Sequence, residues 1–226
     1  MIVPDELVQR IGSLRERIDA AGGSNVELVA VTKGFGLDVV ETALAAGLVD
    51  LGENYSQELE AKVAGLAAGP TRDADPRWHF IGRLQRNKVR RIADEVWLWQ
   101  TVDRVELATE IARRAPGARV LVQVNVSHEE SKGGCAPDDA EGLVAAAVDA
   151  GLDVRGLMTV GRTGSPDDAR EGFALLRRLC DRLELPECSM GMSGDLEVAV
   201  GEGATMVRVG TALFGPRPVR GSAAEA

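Results

Sequence analysis

The chain has 226 residues, 45% hydrophobic and 27% charged, enough for one sizeable core and better matched to one large domain than to two small ones. A formal net charge of −9 at pH 7 argues against nucleic acid or an anionic membrane as a partner. Three cysteines without a CxxC pair, and two histidines, argue against a cysteine–histidine metal site.

The first segment, Met1-Ile2-Val3-Pro4-Asp5-Glu6-Leu7, has neither a basic n-region nor an apolar h-region. No apolar stretch approaches the ~20 residues that span a bilayer, so a cytoplasmic protein is expected. Apolar periodicity predicts a helix over 5–21, then a strand over 28–33 that ends in Lys33. Gly34-Phe35-Gly36 continues as Leu37-Asp38-Val39, so no GxGxxG dinucleotide fingerprint follows that strand, and no GxxxxGK[ST] occurs elsewhere. A helix over 37–47 leads to a strand over 50–54 and its terminal Gly52-Glu53-Asn54-Tyr55, then a helix over 55–67 and a loop over 68–76. The next strand, 78–82, reads Trp78-His79-Phe80-Ile81-Gly82, followed by a helix over 85–94. Within 83–91 lies the one basic cluster, a solvated helix face or the rim of an anion site. Strands over 96–102, 119–126, 155–160, 187–192 and 206–210 alternate with helices over 104–114, 137–150, 166–183 and 195–203. The ending, 219–226, reads as a frayed tail after a domain over 1–218.

Eight strands alternating with helices across short turns predict a parallel sheet with right-handed crossovers. Eight units in one uninterrupted run favour a single-domain α/β fold, a closed (β/α)8 TIM barrel, with a doubly wound open sheet as the alternative. In a barrel the strand ends converge on one mouth, and the loops after strands seven and eight are the usual phosphate site.

Several residues at those ends carry chemistry. Lys33 is an amine at the end of a buried strand, where apolar surroundings lower its pKa and make it a nucleophile toward an aldehyde; the bland reading is a lysine that snorkels to solvent. Ser193-Gly194 and Gly210-Thr211 offer backbone amides and hydroxyls to a phosphate, or are an ordinary N-cap and turn. Arg208 lies inside the last strand, where a buried guanidinium needs a partner. That partner is a structural carboxylate, or an aromatic ring nitrogen that arginine would keep unprotonated. His79 is an acid–base candidate or a hydrogen-bonded core residue, Tyr55 packs or binds a ligand, and Asn125 in a buried strand needs a polar neighbour.

Taken in order, seven segments resemble the pyridoxal phosphate homeostasis proteins over about residues 5–216. They are Ala30-Val31-Thr32-Lys33; Gly52-Glu53-Asn54-Tyr55 with Gln57-Glu58; and Trp78-His79-Phe80-Ile81-Gly82 with Leu84-Gln85 and Asn87-Lys88. The others are Asn125 with Ser131-Lys132 and Gly134; Arg155-Gly156-Leu157-Met158; Gly191-Met192-Ser193 with Asp195 and Glu197; and Met206-Val207-Arg208-Val209-Gly210-Thr211. The resemblance implies a barrel of the alanine-racemase N-terminal-domain type with pyridoxal 5′-phosphate (PLP) as cofactor, held as a Schiff base on Lys33. It also implies Arg208 at the pyridine nitrogen, Ser193, Gly210 and Thr211 at the phosphate, Asn54 near the ring, and His79 and Met158 as wall residues. It implies a carrier in vitamin B6 homeostasis rather than an enzyme of defined turnover, with PLP-accepting apoenzymes as candidate recipients. The chain departs from the family where a second lysine and a proline often follow the Schiff-base lysine, since here Gly34-Phe35 follow Lys33.

The alternative is a PLP-dependent racemase or decarboxylase. Two-base racemisation needs a second acid–base group opposite the lysine, which barrel racemases draw as a tyrosine from an added β-domain, and Tyr55 is the one tyrosine here. A phosphate-ligand barrel without PLP is the third reading. With no exposed apolar stripe in the sequence, a monomer is expected.

Overall fold

The computed structural model describes residues 2–69, 71 and 74–217; the expected tail over 219–226, and part of the loop over 68–76, lie outside the described residues. Eight strands form a closed parallel barrel in chain order: β1 Glu27–Val31, β2 Asp50–Glu53, β3 Arg77–Phe80, β4 Val96–Val102, β5 Arg119–Gln123, β6 Asp153–Met158, β7 Glu187–Ser189 and β8 Met206–Val209. Pairing of β1 with β8, from Glu27 opposite Met206 to Ala30 opposite Val209, closes the ring and rules out the open sheet.

Parallel strands are buried on both faces, so their sequences read as apolar runs, and parity decides which core each residue joins. Inward residues Val29, Leu98, Leu121, Met158 and Met206 pack together inside the barrel. Outward residues, among them Leu28, Ala30, Leu51, Trp78, Phe80, Trp99, Val122 and Val207, pack against the surrounding helices. Those helices are α1 Pro4–Ala20, α2 Leu37–Ala45, α3 Ser56–Ala68, α4 Val89–Ile92, α5 Val105–Arg114, α6 Ala140–Asp149, α7 Arg170–Arg182, α8 Leu196–Gly201 and α9 Thr211–Phe214. The first of them, α1, precedes its strand and contacts α2, α8 and α9, filling the outer ring where the chain's ends meet. No described helix is long and apolar enough to cross a membrane.

Local departures from the sequence pattern have local causes. The helix expected from 85 starts late, because Gln85 is extended (φ −81°, ψ 137°) and a 3-10 turn at Arg86–Lys88 precedes α4. The strand expected to reach 126 stops at Gln123, where Cys135 folds back and exchanges backbone bonds with Gln123 and Asn125, each 2.9 Å. The strand expected to reach 192 stops at Ser189, because Gly191 (φ +91°) turns the chain out of the sheet. At Gly82 a Cβ would lie 2.0 Å from the Asn54 carbonyl, so only glycine lets the chain leaving β3 pass that close to the end of β2.

Candidate functional site

Lys33 stands just beyond β1, and the backbone on either side of it is fixed from α3. Before it, fully buried Thr32 donates from its hydroxyl to Glu53 Oε1 (2.6 Å), and Lys62 Nζ donates to the Thr32 carbonyl (2.7 Å) while pairing with the same carboxylate. After it, the Gly34 amide donates to Glu58 Oε2 (2.7 Å) in a turn at φ +76°. Glu53 is therefore a buried carboxylate with a buried cation, the arrangement that makes such a charge tolerable. Lys62 was not singled out from sequence; its signal is a cation four residues beyond Glu58 on one helix, the spacing that puts both on one face.

A cavity of about 340 Å³ opens at the C-terminal mouth, where such folds place their sites. Lys33, Asn54, Ser193, Arg208, Gly210 and Thr211 all line it, with apolar Val31, Ile81 and Val160. Burial, followed by the positive charges of Arg217 and Arg208, lowers the Lys33 pKa against the opposing pull of Glu53 and Glu58. Arg217, beyond the last strand, has no local sequence signal and reaches the cavity by tertiary folding alone.

Arg208 answers the question its sequence raised. Its guanidinium is buried and bonded to neutral acceptors, Nη1 to Ser189 Oγ and Nη2 to the Thr159 carbonyl, each 2.6 Å. It makes no ion pair among the described residues, so the structural salt bridge is not what holds it. Burial pulls its pKa down to about 10, which leaves it a cation at neutral pH. Because Ser189 Oγ accepts from Arg208, its own proton goes to Gln100 Oε1 (2.7 Å). Gln100 Nε2 then faces His79 Nδ1 (2.8 Å), and His79 Nε2 faces Oδ1 (3.1 Å) of Asp50, whose Oδ2 pairs with Arg77. One buried chain of hydrogen bonds thus runs through the barrel from its mouth to its floor, with each donor's direction fixed by the previous link.

Two expected wall residues lie elsewhere. His79 is sealed within the barrel in that chain, three bonds from Arg208, and Met158 belongs to the interior apolar cluster; neither lines the cavity. Both point into the barrel, one layer below the mouth. Asn125 finds its partners locally, donating to the Glu129 carbonyl (3.1 Å) and accepting from Ser127 Oγ (3.1 Å). Tyr55 is 53% exposed and lines a neighbouring cavity.

The donor set at the mouth suits a phosphorylated aromatic aldehyde. Ser193 Oγ accepts from the Ala212 amide (3.3 Å), which brings the loops after β7 and β8 together. Among the described residues the amides of Gly194, Gly210 and Thr211 have no acceptor, and at Gly210 a Cβ would crowd the Val31 carbonyl at 3.2 Å. Asn54, which lines the cavity, has a buried Oδ1 without a hydrogen-bond partner.

A family model, the N-terminal domain of alanine racemase, matches residues 2–218. The chain is 43% identical to the pyridoxal phosphate homeostasis protein of Pseudomonas aeruginosa over 95% of this chain and 96% of that one. It is 40% identical to the protein of that name from Aquifex aeolicus, over 92% and 97% of the two chains. Among solved structures, it is similar to PipY of Synechococcus elongatus with PLP bound, at TM-score 0.81 and 33% identity over 92% of this chain and all of that one.

Proposed function

The chain belongs to the pyridoxal phosphate homeostasis proteins, within the alanine racemase N-terminal-domain family, and we propose that it binds PLP at the mouth of its barrel and serves vitamin B6 homeostasis without defined turnover. The observation that carries this reading is the meeting of Lys33, Arg208 and the Ser193–Gly194 and Gly210–Thr211 loops in one cavity.

When bound, the cofactor supplies an aldehyde that condenses with a primary amine. Lys33 offers that amine, and its lowered pKa raises the uncharged fraction able to react. Arg208 is a donor that does not surrender its proton at neutral pH, so a ring nitrogen facing it accepts and stays unprotonated. The free amides of Gly194, Gly210 and Thr211, with the Ser193 and Thr211 hydroxyls, hold the phosphate. Asn54 closes the cavity beside Lys33.

The placement of His79 and Tyr55 supports the non-catalytic reading against racemisation. A racemase needs a second acid–base group across from Lys33. His79 is sealed in the interior, and Tyr55 lines a different cavity, so neither serves. In this role the protein acts as a cytoplasmic monomer that passes PLP to apoenzymes.

The test is the visible spectrum of the purified protein with added PLP, followed by borohydride reduction and peptide mapping. A yellow band trapped on Lys33 is the expected result. A colourless protein with Lys33 unmodified overturns the reading, while the yellow protein producing D-alanine from L-alanine would overturn its non-catalytic part.

A further inference from the structure

Three sulfur atoms meet on the outer face of β7, away from the Lys33 cavity. Side chains alternate along a strand, so Cys188 and Met190 share the face that packs on the helices, while Ser189 between them points into the barrel. Cys188 Sγ lies 3.7 Å from Met190 Sδ. Cys180, in the last turn of α7, reaches the same place. Its Sγ lies 3.5 Å from the Glu187 carbonyl oxygen, and its thiol and that of Cys188 hydrogen-bond each other. All three side chains are fully buried, and both cysteines are free thiols. No CxxC spacing marks this cluster in the sequence; the turn between α7 and β7 assembles it.

Sulfur packed on sulfur is ordinary core filling, but two further features are not. A cation, Arg177, stands one turn before Cys180 on α7, close enough for both thiols to act on its charge. Its Nη2 pairs with Asp181 Oδ1 (2.6 Å), whereas its Nε is buried with no acceptor among the described residues. The second feature is the spacing of the sulfurs. Three sulfurs bound to one ion at about 2.3 Å each stand about 4 Å apart, near the 3.7 Å between Cys188 and Met190.

We propose that Cys180, Cys188 and Met190 bind a soft monovalent cation, Cu(I), in a three-sulfur site with Arg177 as its counter-charge. Thiolate and thioether ligands select Cu(I), and three sulfurs fall short of the four ligands of a structural zinc site. Binding converts the two thiols to thiolates, and their protons go to solvent. Two thiolates and one Cu(I) carry a single net negative charge, which Arg177 neutralises, and a thiolate sulfur gives Arg177 Nε the acceptor it lacks. The route in lies at the turn between α7 and β7, where Glu184 is held at φ +54° and strain is stored at the edge that must open. Ser189 holds Arg208 from the other face of β7, so the ion would stiffen the strand that aims Arg208 at the Lys33 cavity. That consequence rests on the PLP reading above, but the binding itself does not.

The test titrates the reduced, cofactor-free protein anaerobically with Cu(I) buffered by bicinchoninate, whose colour fades as the protein takes the ion. One equivalent is expected to bind, and X-ray absorption of the loaded parent chain is expected to show a shell of sulfur alone. Cys180→Ala and Cys188→Ala should each bind at least about tenfold more weakly. Cys135→Ala, which removes the thiol outside the cluster, should keep the parent affinity. No uptake by the parent chain overturns the proposal, as does nitrogen or oxygen in the metal's shell. Unchanged affinity in either cluster variant, or its loss in Cys135→Ala, also overturns it. The absorption measurement needs no variant, so a substitution that fails to fold leaves the proposal open to refutation. If Cu(I) binds as expected while added PLP forms no borohydride-trapped adduct on Lys33, this site stands and the PLP reading falls.

Discussion

Lys33 is held by its backbone rather than by its side chain: Thr32 is tied to Glu53 and Lys62, and Gly34 to Glu58, while the amine itself projects into the cavity. The Lys33→Ala variant should therefore lose the PLP adduct yet change stability by less than about 1 kcal/mol, as checked by borohydride mapping and urea unfolding. Arg208 depends on a longer series of contacts. Gln100 is fully buried and bonded to both Ser189 and His79, so Gln100→Leu strands Ser189 Oγ and His79 Nδ1 together. That variant should cost about 1–3 kcal/mol in urea unfolding. It should also weaken PLP retention and move the absorption maximum of the bound cofactor, a change that general loosening of the core would not produce. The resemblance implied His79 and Met158 as wall residues but carried no depth: a barrel interior is layered, and only the outermost layer meets the mouth.

At the level of elements, α3 does more than cover β2. It carries Glu58 and Lys62, one turn apart, onto the residues just beyond β1 and the last residue of β2. Removing the cation alone leaves Glu53, a fully buried carboxylate that burial already pushes toward protonation, without its counter-charge. Lys62→Met is expected to cost about 3–5 kcal/mol, and Glu53→Leu in the same chain to restore much of it, measured by chemical unfolding of the single and double variants. The strands and most helices were legible because parallel-sheet burial writes long apolar runs and outer helices write amphipathic ones. Strand ends were less legible. Where β5 stops depends on Cys135 folding back from outside the run, and where β7 stops depends on the positive φ of Gly191, which apolar patterning does not record.

Over the whole molecule, the floor of the barrel carries a titrating cluster at the far end from the proposed site. Glu27 is pushed up to about 7 by burial and by the charge of Asp50. Asp50 feels the same burial, but hydrogen bonds from His79 and Arg77 outweigh it and hold its pKa below the usual value. The folded protein therefore keeps a proton on Glu27 that the unfolded chain releases near pH 4.5. Stability from this group is fully present below that pH, falls as pH rises to about 7, and is flat above it. Asp50 acts in the opposite sense and lower down, losing its contribution only as pH falls through its depressed pKa. Urea midpoints at pH 5 and pH 8 should differ less in Glu27→Gln than in the parent chain. An equal slope in both would remove Glu27 as its source.

The sequence by itself determined the eight-unit alternation and the chemistry at the strand ends, because those follow from which side chains water rejects and which reactive groups stand beside them. Only the tertiary structure decided the closing pair of β1 and β8, the depth of His79 and Met158, the neutral acceptors of Arg208, and the meeting of Lys62 and Arg217 with residues far away in the chain. The physical reason is distance along the chain. Periodicity is a property of neighbours, whereas the partner that satisfies a buried polar group is chosen by the whole packed barrel.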